Sequence, residues 1–245
     1  MRCYFLGLLI LTFLSCKKSN ERPECRFKRI THRSGFSYPV SYGGDTLMVL
    51  GANSTGSNLY FSTSGKLLRI ESPVTDPYIL TELVYDNKGK VAESKSSFKI
   101  GNNWVYQNKM VFTYTNNKII NIREENASYP SGPYYTTALV WEGNNIRTVI
   151  NYAGADTSCI KTFSYDLSKT NPMTRNSFLY FADGDANYGG YKLPLYFSKN
   201  LVTKVETKCP TPETRIYSYM FNSDGLIEKM LDNSDTLWAY EYNCQ

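Results

Sequence analysis

The side chains that enzymes use for acid–base and nucleophilic catalysis are sparse in this sequence. His32 is the single histidine among 245 residues, and it lies in a basic N-terminal segment, where we expect it to be exposed beside Arg33. A Ser-His-Asp or Cys-His arrangement would have to be built around this one imidazole. Glycoside hydrolysis needs two flanking carboxylates, and no local motif marks such a pair. The sequence therefore predicts no catalytic residues, no cofactor and no enzyme, with a glycan-active enzyme as the third-ranked alternative.

One segment partly resembles a calcium loop, because Asp183, Asp185 and Asn187 place oxygen ligands at alternate positions. An EF-hand has a glycine where this chain has Tyr188 and a bidentate glutamate where it has Pro194. No Cys-x-x-Cys or Cys/His spacing is present. We therefore predict no metal site and a flexible polar turn here, with Ca²⁺ at these three residues as the alternative.

The N-terminus has the layout of an export signal: Arg2, ten largely apolar residues over 5–14, then Ser15 and Cys16. The apolar run is too short to span a bilayer. The residues 13–16, Phe-Leu-Ser-Cys, resemble a bacterial lipobox with Phe13 in place of the usual leucine. We expect residues 1–15 to be a signal peptide and Cys16 to be lipidated; simple secretion and an uncleaved anchor are the alternatives.

The cysteines that follow are consistent with export. Cys25, Cys159, Cys209 and Cys244 remain after the signal peptide and Cys16. In an oxidising compartment four cysteines form up to two disulfides, in one of three connectivities. Cys25 and Cys244 lie near the two ends of the mature chain, so a bridge between them would tie the termini together. The connectivity stays open at this point.

Positive charge is concentrated directly after Cys16. Residues 17–33 carry a net charge of +5, whereas the later residues hold 19 basic and 20 acidic side chains. We predict a lipid-anchored basic tether over residues 16–40 that contacts anionic headgroups, at roughly 1 kcal/mol per Lys or Arg; a merely solvated tether is the alternative. An exported, lipidated chain rarely meets nucleic acid, so no nucleic-acid partner is expected.

The rest of the chain repeats one plan, in which an aromatic strand, a tight polar turn and an aliphatic strand follow each other. Gly or Asn in the turns suits the positive φ of hairpins. The step is near 26 residues, and a step of 55 between Asn145 and Asn200 predicts a further copy near Pro172. The six repeat segments are 59–70, 83–94, 111–122, 139–150, 195–206 and 219–230.

These repeats predict an all-β fold, which the 21 Tyr, 12 Phe and 3 Trp also favour. Charges recur at every second position of strands such as 201–208, so one face of the sheet is wet. We expect an antiparallel meander of about 14 strands, curled into a large twisted sheet or barrel-like form. It would form a single domain over residues 41–245 with an irregular insertion at about 167–192.

The repeats and the lipobox together carry a family resemblance. Residues 84–90 (VYDNKGK), and residues 163–166 (FSYD) followed by 169–172 (KTNP), look like lipoproteins of the Bacteroidota with YD-like hairpin repeats. The resemblance covers most of residues 55–245. It implies a domain of unknown function described as porin-like in fold, and it brings no catalytic residues. Apolar stretches that are shorter than the outer band of transmembrane barrels, and mixed with Asn, Ser and Thr, predict a tethered body rather than a pore.

The same resemblance implies a location in the cell envelope and a covalent modification. Lipoproteins exported to the cell surface in this phylum carry an acidic cluster after the lipidated cysteine, whereas residues 17–21 read KKSNE. The periplasmic face of the outer membrane is therefore favoured over the cell surface. The triplets 45–47 (DTL) and 235–237 (DTL) are similar to an O-glycosylation signal of these bacteria, which predicts glycans on Thr46 and Thr236.

Loop tyrosines are the expected ligand contacts, because rigid amphipathic rings in loops bind sugars or proteins at low entropic cost. We predict an envelope lipoprotein that acts as a non-catalytic binding module for glycan or protein. The alternative is a structural or assembly component of an outer-membrane complex. The candidate contacts are Tyr129, Tyr134, Tyr135, Tyr188 and Tyr191.

Overall fold

The computed structural model of the protein describes residues 25–33, 37–44, 46–51, 57–72, 78–128, 135–177, 179–182 and 192–244. Within these residues sixteen antiparallel strands form one closed barrel, in which each strand pairs with its sequence neighbours and the first pairs with the last. The strands are β1 (Cys25–His32), β2 (Ser37–Tyr42), β3 (Leu47–Leu50), β4 (Ser57–Phe61), β5 (Leu67–Ser72), β6 (Tyr78–Tyr85), β7 (Val91–Ile100), β8 (Asn103–Thr115), β9 (Lys118–Asn126), β10 (Tyr135–Glu142), β11 (Asn145–Ala153), β12 (Asp156–Thr170), β13 (Asn200–Lys208), β14 (Glu213–Phe221), β15 (Ile227–Asp232) and β16 (Asp235–Cys244).

The predicted all-β antiparallel meander is confirmed, with sixteen strands rather than about fourteen. Because neighbouring strands alternate in direction, the barrel has two distinct ends. We call the end at which β1 begins the turn end, and the end at which β1 finishes the loop end. Closure leaves no sheet edge with unpaired backbone groups in the described barrel.

Five of the six predicted hairpins form as expected, and their turns lie at the turn end. The β6–β7 turn is representative: the Asp86 carboxylate accepts hydrogen bonds from the backbone N–H groups of Lys88 and Lys90, at 2.9 and 2.8 Å. Gly89 takes the positive φ of 76° that this turn needs. The Asn222 side chain holds the β14–β15 turn in the same way. Local side-chain chemistry thus sets the hairpin register.

The prediction of a hairpin at 195–206 and of a further copy near Pro172 was wrong. Strand β12 runs to Thr170 and pairs with β13, so the two strands form a single hairpin whose connection spans residues 171–199. Proline cannot donate to a ladder and favours the first turn of a helix. Pro172 and Pro194 accordingly start helical turns in this connection. Its helices are a 3-10 helix (Pro172–Asn176), α1 (Leu179–Ala182) and α2 (Leu193–Phe197).

The predicted tether over 16–40 was also wrong for its second half, because β1 and β2 are barrel strands. Phe27 and Ile30 of β1 are buried in the core, and the odd spacing between them comes from a β-bulge after Phe27. This bulge breaks the period-two pattern that would have marked a strand. Lys28 and Arg29 form ion pairs with Glu241 on β16, at 3.6 Å each. Much of the basic run therefore belongs to the barrel wall.

The interior is packed with apolar side chains and with the helical connection. Phe163 of β12 is completely buried, as is Leu193 of α2. Side chains of α2 and of β14–β16 surround a cavity of only about 20 Å³, lined by Leu195, Tyr219 and Trp238 among others, which is room for about one water molecule. Sixteen-stranded barrels have room for an aqueous channel; here the described helical turns of the 171–199 connection pack buried side chains such as Tyr180 and Leu193 into the interior.

Candidate binding site

A row of aromatic side chains lines the interior near the turn end. In each case a phenol or indole on one hairpin donates a hydrogen bond to a backbone carbonyl of the preceding hairpin. Tyr114, for example, bonds to the Val91 carbonyl at 2.9 Å. Burial raises the pKa of Tyr114 and of Tyr165 to about 12. We call this row the aromatic belt: Tyr85, Tyr114, Trp141, Tyr165, Tyr219 and Tyr242.

Lysines of the turns lie against three rings of the belt. The ammonium groups of Lys66, Lys90 and Lys118 lie 5.2, 5.0 and 5.4 Å from the ring centroids of Tyr85, Tyr114 and Trp141. Such cation–π contacts stabilise by about 0.5–1 kcal/mol at exposed sites. The repeated lysine therefore joins each hairpin to the next. Because its polar atoms are used inside the barrel, the belt is a structural feature rather than a ligand site.

The two ends of the barrel differ in charge. The turn end comprises the connections at that end and, in each adjoining strand, the two residues nearest to the connection. Its described basic side chains are Arg26, Lys66, Lys88, Lys90, Lys118, Lys169, Lys192 and Lys199. The acidic ones there are Asp86, Glu142, Asp224 and Glu228. By the same criterion the described part of the loop end carries Arg33, Lys99 and Lys208 against Glu71, Glu125, Asp156, Glu213, Asp232 and Asp235. Over the described residues, the turn end is thus positive and the loop end negative.

A patch of aromatic and charged side chains covers the outer wall from β4 to β8, near the loop end. Leu59 and Ile70 are buried, so their neighbours Tyr60 and Glu71 point outward. The outward side chains form one connected group, which we call the aromatic patch: Tyr60, Arg69, Glu71, Tyr78, Lys99 and Trp104.

The Glu71 carboxylate is the centre of this patch. One of its oxygens accepts hydrogen bonds from the hydroxyls of Tyr60 and Tyr78, at 3.0 and 3.1 Å. The other oxygen pairs with Arg69 at 3.2 Å, and the Arg69 guanidinium stacks 4.2 Å from the Tyr60 ring centroid. Partial burial, followed by the bond to the carboxylate, raises the pKa of both phenols. The rings are therefore held neutral and in fixed orientations.

Trp104 extends the patch along the wall. Its ring lies 5.2 Å from that of Tyr78, and it is 43% exposed although it is a large apolar side chain. The Lys99 ammonium lies 5.9 Å from the Tyr78 ring centroid. Sequence reasoning missed this patch because it treated the strand aromatics as core. The available signal was that Tyr60 alternates out of phase with the core residue Leu59, which places it on the wet face.

A groove of about 480 Å³ opens at the loop end, lined by Thr31, His32, Arg33, Asp235 and Thr236. The expectation that His32 is exposed in a tether was wrong. It is half-buried in β1, and its ring lies 4.5 Å from that of Trp238.

Below the groove Arg33 and Arg215 both bond to one oxygen of the buried Asp232, at 3.1 and 3.5 Å. Arg215 also pairs with Glu213 at 2.8 Å, so the two guanidinium groups face two carboxylates. These contacts link the end of β1 to β14 and β15.

Glu124 of β9 is a half-buried carboxyl on the inner face of the barrel. Burial raises its pKa, and it accepts a hydrogen bond from the Asn108 amide at 3.2 Å. Burial, and then the negative charge of this carboxylate, raise the pKa of the Tyr180 phenol of α1. A glycosidase needs a second carboxyl across the scissile bond, whereas these two interactions of Glu124 are with an amide and a phenol.

The structure places the predicted site residues as follows. Tyr135 begins β10 at the loop end and is 58% exposed. Thr46 is exposed in the β2–β3 turn at the turn end, and Thr236 is exposed at the loop end. Four of the five candidate tyrosines, the three candidate Ca²⁺ ligands and the predicted lipidation site lie outside the described residues: Tyr129, Tyr134, Tyr188, Tyr191, Asp183, Asp185, Asn187 and Cys16.

The four cysteines of the described residues form two disulfides, Cys25–Cys244 and Cys159–Cys209. The first joins β1 to β16 where the barrel closes. Within the described residues, one cluster of potential metal ligands combines Asp224 with Cys25 and Cys244. Because both of these sulfurs are bonded to each other, they are not thiolate ligands. No helix in the described part of the chain has the length and apolar character needed to cross a bilayer.

No protein-family model matches the chain, and no curated protein matches it significantly. Solved structures that are similar to it include two porin-like proteins. A porin-like protein from Bacteroides uniformis shares 12% identity and a TM-score of 0.47 over 89% of this chain and 96% of that one. A porin-like protein from Bacteroides vulgatus shares 12% identity and a TM-score of 0.49 over 89% of this chain and 98% of that one.

Proposed function

We propose that this chain is a non-catalytic, lipid-anchored envelope protein that binds a glycan through the aromatic patch. The observation that carries the proposal is a row of three aromatic rings on β4, β6 and β8, in which the Tyr60 and Tyr78 hydroxyls share the Glu71 carboxylate and the Trp104 ring lies against the Tyr78 ring. Four strand spacings separate β4 from β8, which gives a platform of roughly 19 Å. An extended oligosaccharide fits a surface of this length.

The chemistry of the patch suits a sugar better than an apolar partner. Aromatic faces carry partial negative charge and attract the polarised C–H groups of a sugar ring. The Glu71 carboxylate accepts hydrogen bonds from hydroxyls, and Arg69 and Lys99 donate them. The contacts among the six side chains fix their rotamers before a ligand arrives, which lowers the entropic cost of binding.

The rest of the barrel supports a binding role rather than transport or catalysis. The outer wall carries an ion-pair network in which Lys109 bridges Glu93 and Glu125, at 3.6 and 3.1 Å. A lipid-facing wall would present an apolar band instead. The filled interior favours a closed scaffold over a channel. Lipidation of Cys16 and attachment at the periplasmic face of the outer membrane complete the proposal.

A glycan array with the purified protein tests the binding role. Trp104→Ala should lower affinity for the bound glycan at least tenfold, because truncating a tryptophan at a binding hot spot costs about 2 kcal/mol or more. Tyr135→Ala is the matched control, since Tyr135 is an even more exposed aromatic at the loop end but lies outside the patch. Its affinity should match the wild type.

Other outcomes would redirect the proposal. Loss of binding in Tyr135→Ala but not in Trp104→Ala would move the site to the loop tyrosines. No glycan bound, together with stable co-purification of an outer-membrane protein that Trp104→Ala releases, would favour the assembly component. For the anchor, a Cys16→Ser variant should lose the acyl mass and leave the membrane fraction; unchanged fractionation would contradict lipidation.

A further inference from the structure

The chain enters the barrel at the turn end. Cys25 is the first residue of β1 and is bonded to Cys244, the last residue of β16. Both lie at the end that also holds the short hairpin turns. Nine residue steps separate Cys25 from Cys16, and a fully extended chain covers at most about 32 Å over that length. A lipid on Cys16 would therefore keep the turn end, rather than the loop end, close to the membrane.

The same end carries the positive charge of the barrel. Four exposed lysines, Lys66, Lys88, Lys169 and Lys199, project from connections of this end. The tether itself contributes little, because residues 17–24 contain Lys17, Lys18 and Arg22 against Glu21 and Glu24. The negative loop end lies at the opposite side of the barrel. The charge of the molecule is thus polarised along the barrel axis.

We infer that the turn end of the barrel is a membrane-contact surface that binds anionic lipid headgroups. The inference rests on the proposed lipid anchor only for the statement that the turn end lies close to the membrane. The charge of the turn end comes from side chains of the folded barrel itself. Each lysine near an anionic surface adds about 1 kcal/mol of attraction, which falls off within a Debye length of about 8 Å. Connections at the same end of the barrel present their lysines to the same surface.

This orientation also places the aromatic patch. Glu71, Lys99 and Trp104 lie at or next to the loop-end termini of their strands. With the turn end on the membrane, the patch faces away from the lipid surface and is open to a glycan. Contact between the negative loop end and anionic lipids would be repulsive. The polarity of the barrel therefore favours one orientation and disfavours the inverted one.

Vesicle co-sedimentation tests the surface without the lipid. The mature chain, starting at residue 16 with Cys16→Ser, contains every described element of the barrel. It should bind vesicles of phosphatidylcholine with phosphatidylglycerol and not vesicles of phosphatidylcholine alone, and the binding should weaken with added salt. Replacing Lys88, Lys169 and Lys199 together by Gln should lower the partition coefficient by one to two powers of ten.

The matched control changes the same net charge elsewhere. Lys99, Lys204 and Lys208 lie on the loop-end half of the barrel, and their joint replacement by Gln should change the partition coefficient less than threefold. Equal losses in both triple variants would show that only net charge matters and would overturn the inference. Absence of any preference for anionic vesicles would do the same. Melting curves of both variants verify that the barrel is folded.

A fluorescence measurement reports orientation directly. The protein has three tryptophans, of which Trp141 lies under the turn-end lysine Lys118 and Trp104 lies in the aromatic patch. In single-tryptophan variants with the others replaced by Phe, brominated lipids should quench Trp141 more than Trp104. Stronger quenching of Trp104 would invert the orientation. Failure of glycan binding leaves both of these readouts unaffected, so the two proposals are tested separately.

Discussion

Removal of one hydroxyl group from the aromatic belt tests whether this belt joins the hairpins. The Tyr114 phenol donates a 2.9 Å hydrogen bond to the Val91 carbonyl on the neighbouring strand, and its ring carries the Lys90 ammonium at 5.0 Å. Tyr114→Phe keeps the ring and the cation–π contact but deletes the donor. The Val91 carbonyl lies beside a bulge of the β6–β7 hairpin and is left without this donor.

The expected cost follows from the burial of this bond. A net hydrogen bond contributes about 0.5–1.5 kcal/mol, and a buried acceptor left unsatisfied raises the cost to about 1–3 kcal/mol. Because Tyr114 is only partly buried, we expect a loss of about 1.5 kcal/mol in the free energy of unfolding. For a domain of this size that corresponds to a decrease of about 3–6 °C in Tm.

Urea unfolding and calorimetry of wild type and variant measure this loss. Tyr106→Phe is the control, because Tyr106 is an exposed outer-wall residue whose hydroxyl makes a longer, 3.3 Å bond to the Glu125 carbonyl. Its stability should change by less than about 0.5 kcal/mol, as is usual for surface substitutions. Equal effects of the two substitutions, or no effect of Tyr114→Phe, would refute the assignment of the belt as an inter-hairpin clamp.

The free energy of unfolding at alkaline pH provides a second measurement at Tyr114. The folded protein raises the pKa of Tyr114 to about 12, whereas an unfolded tyrosine titrates near 10. A group with a raised folded pKa contributes stability that is fully present below the unfolded value and is lost as pH rises through the folded one. Wild type should therefore lose stability between pH 10 and 12 more steeply than Tyr114→Phe, and parallel curves would contradict this.

Two further predictions concern the disulfides and the surface threonines. Replacing both cysteines of Cys25–Cys244 by Ser should destabilise more than the same change in Cys159–Cys209, by about 5 against about 4 kcal/mol, because the sequence separations are 219 and 50; the reverse order in urea unfolding would contradict the chain-entropy argument. Thr236 is exposed at the loop end, so Thr236→Ala should remove one glycan mass from the protein purified from its native host, and Thr46→Ala should do the same at the turn end. An unchanged intact mass in either variant would exclude modification at that residue.

The hairpins were predictable because their information is local. Asp86 and Gly89 specify a turn through hydrogen bonds and a φ angle that involve residues only a few positions apart. The regular positions of Tyr85 and Tyr114, each followed by a turn, marked the strands before these turns. Sequence reasoning could not recognise that both rings reach a neighbouring hairpin, because that contact depends on how the hairpins stack.

The errors lie where local patterns are interrupted. The bulge after Phe27 moved Ile30 out of the expected alternation, so the sequence of β1 was interpreted as part of a charged tether. Leu195 and Phe197 have the composition of a strand, yet Pro194 and burial inside the barrel make this segment helical. Strand β1 is fixed by its pairing with β16, far away in the chain, whereas α2 combines the local effect of Pro194 with packing inside the barrel. The candidate site also depends on distant residues, because Tyr60, Tyr78 and Trp104 come together only after the five strands from β4 to β8 have paired.

The sequence by itself determined the β class, the hairpin period, the turn chemistry and the export signal that we predict at Cys16, because each depends on residue types within a short window. Tertiary structure decided that the sheet closes, that β1 completes it against β16, and that helical turns of the 171–199 connection pack into the interior. Tertiary structure also decided how charge is distributed between the two ends of the barrel. Charges that are scattered along the chain gather at opposite ends of the barrel, since alternating strands bring every second connection to the same end.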